Sequence, residues 1–125
     1  MFKFLRNERG GSPALCDIPA VSGTVYKIGL PLTAAGAVVS GETAPDYICA
    51  QETTGTEGGF VKAIAVSYDD VYLTKFTAAP TAINAGDKVT IASDGAGITA
   101  TKTNGVAKVI KKYGDASGSM AEVKF

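Results

Sequence analysis

The chain has 125 residues, 46% of them hydrophobic, with 12 Lys plus Arg against 12 Asp plus Glu and no histidine. That is enough for one domain with its own core, and too apolar for a disordered segment. Zero net charge removes the general electrostatic pull toward nucleic acid or anionic membranes, and the missing His removes Ser-His-Asp and Cys-His catalysis and the commonest metal ligand.

Residues 1–13 (MFKFLRNERGGSP) read as an extended N-terminal arm, because Gly10, Gly11, Ser12 and Pro13 break regular structure. Basic residues without a following apolar region make no secretory signal, and no apolar stretch approaches the ~20 residues of a membrane-spanning helix. Residues 14–125 read as a single β domain. Short strand-like runs follow one another at 15–20, 24–30, 37–40 and 46–51. The run 60–67 (FVKAIAVS) is almost continuously apolar, as in a strand covered on both faces. Residues 71–77 (VYLTKFT) are β-branched and aromatic. The runs 88–92, 98–103, 106–113 and 120–125 alternate or are bounded by turns, with Asp94-Gly95 and Asn104-Gly105 as hairpin signals that favour positive φ. Residues 86–125 therefore predict a four-stranded antiparallel meander. Residues 52–59 and 78–86 predict exposed loops, and residues 33–37 at most one helical turn. The fold expected is all-β: a small antiparallel β-barrel or β-sandwich with a C-terminal meander and an N-terminal arm.

Little in the chain points to chemistry, so no enzyme and no cofactor are expected. Gly55-Thr56-Glu57-Gly58-Gly59 lacks the Lys-Ser/Thr of a phosphate loop. Asp69-Asp70 fits a turn better than a metal site, which needs more oxygen ligands at fixed positions. Lys108, Lys111 and Lys112 fit a protected strand edge better than a nucleic-acid contact. Tyr26, Tyr47, Tyr68 and Tyr72 could rim a sugar or partner site, or be half-buried at strand ends. Cys16 and Cys49 lie in apolar runs and read as buried free thiols. Charge is uneven: the middle of the chain is acidic and residues 76–125 carry six Lys. Solvated faces account for this, as would complementary patches that meet between copies or on a partner.

Four segments in this order, IPAVSGTVYKIGLPL (18–32), PDYICAQE (45–52), INAGDKVTIASDGAGITAT (83–101) and the closing AEVKF (121–125), resemble the small decoration, cement or head-fibre-like proteins of tailed-phage capsids. The resemblance covers residues 14–125 and lies in strands and turns, with no catalytic signature. It implies a β body on the exterior of the virion capsid, assembled in the host cytoplasm, that binds the major capsid protein as a monomer or homo-trimer and stabilises the mature shell. Phe2, Lys3, Phe4, Leu5, Arg6 and Arg9, stranded outside the β pattern, are the expected capsid-binding anchor. A carbohydrate- or host-surface-binding module on the same particle is the alternative.

Overall fold

The computed structural model describes residues 1–125. The chain is all-β, without helices. Eleven strands run β1 (Lys3–Asn7), β2 (Ala14–Pro19), β3 (Val25–Tyr26), β4 (Pro31–Leu32), β5 (Tyr47–Cys49), β6 (Thr53–Thr54), β7 (Phe60–Ala65), β8 (Asp70–Lys75), β9 (Lys88–Val89), β10 (Ala107–Lys112) and β11 (Met120–Lys124). They form a five-stranded sheet in the order β1-β8-β11-β10-β9, a four-stranded sheet β2-β7-β5-β4 and a β3-β6 ribbon, all antiparallel. The arrangement is sandwich-like and not a closed barrel.

The larger core lies under the five-stranded sheet. Tyr72 from β8, Val109 from β10, and Ala121 and Val123 from β11 pack there with Phe2, Phe76, Ile83, Val89, Ile91 and Ile98, and Ile48 of β5 reaches in from the second sheet. The smaller core joins Ile18, Leu32, Cys49, Val61 and Ala63 of the second sheet to Tyr26 of the ribbon and to Leu30. Tyr26 is fully buried. Its hydroxyl donates to the Gly36 carbonyl (2.6 Å) and accepts from the Val21 N–H (2.8 Å), so its polar tip is satisfied.

The N-terminal segment is not a free arm. Residues 3–7 form the edge strand β1 of the large sheet, with Lys3 opposite Leu73 and Phe4 opposite Tyr72. Phe2 is 1% exposed, and its ring meets Phe125 edge-on at 5.3 Å. The Phe2 N–H donates to Gly29 O and the Glu8 N–H to Asp69 O, which ties both ends of the strand to the body. The period-two spacing of Phe2 and Phe4 is the signal of a half-buried strand. A bulge between Phe4 and Arg6 interrupts it after one repeat.

Other expectations are met in part. β9, β10 and β11 form the C-terminal meander, but the run 98–103 contributes only bridges from Ile98 to Ile91 and Phe76, not a fourth strand. The run 37–40 likewise makes a single bridge, Val38 to Leu32. The expected loop 52–59 contains β6. β7 is not covered on both faces: Val61 and Ala63 are buried while Phe60 and Lys62 are exposed. β8 is the strand enclosed along most of its length.

Candidate docking surfaces

The second sheet leaves one face partly open. Register places Leu15 beside Ile64, Asp17 beside Lys62 and Pro19 beside Phe60 on that face. Leu15 is 64% and Phe60 66% exposed. Ile64 lies beside Ile48 of β5 and joins Leu15 to a groove of about 440 Å³ between β1 and this sheet. Phe4, Ile28, Ile48 and Ala50 line the groove, and Ile28 is 58% exposed. The Asp17–Lys62 ion pair at 3.2 Å crosses the strip between Leu15 and Phe60. Exposed apolar patches bordered by polar side chains are surfaces of the kind that receive a protein, a membrane or a ligand.

The outer face of the five-stranded sheet has a different chemistry. Along β11, Ala121 and Val123 point into the core, so Met120, Glu122 and Lys124 point outward. Register then aligns Lys88, Lys108 and Lys124 directly across β9, β10 and β11. A second row holds Lys111, Glu122, Leu73 and Lys3. Lys75 stands opposite Met120. Like charges directly opposite on neighbouring strands repel. Lys124 is relieved by an ion pair with Glu8 and by the Tyr68 ring 5.0 Å away; the pairing raises its pKa and lowers that of Glu8. Lys88 and Lys108 form no salt bridge. Glu122 is the anionic centre of this face. It accepts from the Tyr113 hydroxyl and pairs with Arg6 at 2.6 Å, and these two contacts hold its carboxyl below the usual range. Beside it Leu5, Leu73, Tyr113 and Met120 line a shallow apolar depression.

Compared with protein families, curated proteins and solved structures, the chain matches none.

The six residues expected to anchor the chain are thus divided by the fold. Phe2 is core. Phe4 is half-buried, its ring edge-on to Tyr72 at 5.9 Å and on the rim of the groove. Lys3, Leu5 and Arg6 belong to the outer face of the five-stranded sheet, with Arg6 engaged by Glu122. Arg9 pairs with Asp69 at 3.0 Å. Among the tyrosines, Tyr26 and Tyr72 are wholly buried and Tyr68 is 78% exposed. Asp69 and Asp70 sit at the turn into β8, where the Asp70 carboxylate accepts from the Ser67 N–H and the Asn7 side-chain amide. The basic trio separates too: Lys112 turns away to the Pro80 carbonyl and Asp115.

Both cysteines are free, Cys49 buried and Cys16 half-buried. They flank Ala63 on one face of the sheet. Two strand spacings separate their Cα atoms by roughly 9–10 Å, beyond the ~7 Å that a disulfide spans. Burial pushes the Cys49 thiol pKa up. The apolar strip could not be found from periodicity, because Phe60 and Ile64 on the open face make β7 read as apolar throughout.

Proposed function

We propose that this chain is a structural docking protein that decorates the outer surface of a phage capsid and stabilises the mature shell. The observation that carries the reading is the open apolar strip on β2 and β7, where Leu15 and Phe60 stand more than half exposed beside the groove lined by Ile28 and Ile64. The strand-and-turn segments that resemble capsid decoration proteins supply the choice of partner. Burying the exposed parts of Leu15, Ile28 and Phe60 is worth on the order of 4 kcal/mol, or about a thousandfold in Kd. A protein that binds only the mature shell stabilises it by mass action, and many copies that each bridge neighbours multiply a modest contact. The strip replaces the N-terminal segment as the proposed contact, because that segment is built into the sheet.

Co-sedimentation with undecorated mature capsids tests this. The protein is expected to saturate at a fixed number per capsomer. The double variant Leu15→Asp/Phe60→Asp, altered only at exposed side chains, is expected to keep its melting temperature and lose at least about 90% of the bound protein, given the burial lost. No binding by the unaltered protein overturns the capsid reading. Undiminished binding by the variant moves the contact off this face.

A further inference from the structure

The outer face of the five-stranded sheet concentrates the cations of the molecule. Lys3, Arg6, Lys75, Lys88, Lys108, Lys111 and Lys124 lie on it, with Glu122 within it and Glu8 at its edge. Those are seven of the 12 cations and two of the 12 carboxylates, so five cations face ten carboxylates over the rest of the chain. Residues 14–65, which build the second sheet and the ribbon, carry Asp17, Glu42, Asp46, Glu52 and Glu57 against Lys27 and Lys62 alone. This acidic part lies across the larger core from the basic face, since Ile48 of β5 enters that core from the side that the lysines point away from. A chain without net charge is therefore electrically polar, basic on one side and acidic on the other.

We infer that the basic face docks on the acidic side of a second copy of this chain, head to tail. Three observations support it. The Lys88–Lys108–Lys124 row places like charges in direct opposition, and a neighbour's carboxylates relieve the repulsion. Lys88 and Lys108 form no salt bridge, because Glu8, in the pocket that they share with Lys124, is taken by Lys124, and Glu52 and Glu57 form none either, so both sets are free to pair between copies. The apolar depression of Leu5, Leu73, Tyr113 and Met120 supplies the desolvated centre that charged rims surround in protein interfaces. A nucleic acid or anionic bilayer fits less well, because Glu122 stands inside the basic field and Glu8 at its edge, and the rest of the molecule repels a polyanion. The contact uses two different patches and is heterologous. It is separate from the apolar strip on β2 and β7 and does not depend on the capsid reading.

Sedimentation velocity across a concentration series at low and high ionic strength tests it, with charge-reversed variants Lys88→Glu/Lys108→Glu and Glu52→Lys/Glu57→Lys. All four residues are exposed, and unchanged circular dichroism and melting establish that both variants fold. The unaltered protein is expected to exceed 12.7 kDa at low salt and to return to it as salt screens the contact. Each variant alone is expected to associate about tenfold more weakly or not at all, while an equimolar mixture recovers association because each reversed patch meets its complement. A monomer at every concentration and salt overturns the inference. So do association that persists in Lys88→Glu/Lys108→Glu, association that survives high salt, and a mixture that fails to recover.

Discussion

The Oγ1 of Thr74 is buried on the inner side of β8, opposite Ala121, without a hydrogen-bond partner. A buried hydroxyl that has given up water without replacing it costs about 1–3 kcal/mol, and Val has nearly the same shape. Thr74→Val is expected to raise the unfolding free energy by about 1 kcal/mol, read as a higher urea midpoint; a lower midpoint would mean that the hydroxyl is bonded. Residue chemistry was legible where it is local. Asn104 takes the positive φ of 54° that its turn signal favours, but the turn closes on the Lys102 carbonyl and joins no hairpin of strands 98–103 and 106–113. Gly105 beside it does not take positive φ, and glycine is needed for another reason: a Cβ there would lie 2.3 Å from the Lys88 carbonyl. That approach comes from Lys88 of β9, 17 residues away in sequence, which no dipeptide rule contains.

At the scale of elements, β1 is the part that differs most from its sequence reading. Its inner side closes the larger core through Phe2 and Phe4. Phe2→Ala is expected to cost about 4 kcal/mol in equilibrium urea unfolding, and removal of residues 2–11 to unfold the large sheet. A midpoint unchanged in Phe2→Ala would mean that this strand does not belong to the folded body. β7, β8, β10 and β11 were legible because each is five or six residues long with its own pattern. β3 and β9 are the short paired parts of the runs 24–30 and 88–92, whereas the two-residue strands β4 and β6 were not legible, because partners rather than their own sequence define them. The candidate surfaces divide in the same way. The uneven charge was visible along the chain, but the alignment of three lysines needed the register of β9, β10 and β11, which is a long-range property.

For the whole molecule, ionic contacts set a pH window. Glu122 is held low by Tyr113 and Arg6, Glu8 by Lys124, and Asp87 by the Asn84 N–H and Lys102. A carboxyl whose folded pKa is depressed contributes stability above its unfolded value, 4.5 for the two glutamates, and loses it as pH falls through the folded value. Lys124 and Tyr113 are raised, so their contributions are complete below 10.5 and 10.0 and are lost as pH climbs beyond them. Urea midpoints measured against pH are expected to hold a plateau through neutrality and fall at both ends, and Glu122→Gln is expected to shallow the acid limb. A midpoint that rises below pH 4 would contradict these pairings.

The same topology orders events in time. The second sheet and the ribbon draw only on residues 14–65, so their pairings can close while later residues are still being synthesised. β1 is made well before its partner β8, which begins at Asp70. A strand carrying Phe4, with Phe2 just ahead of it, thus emerges early with an unpaired backbone edge, and during that interval it is the segment most exposed to capture by the wrong chain.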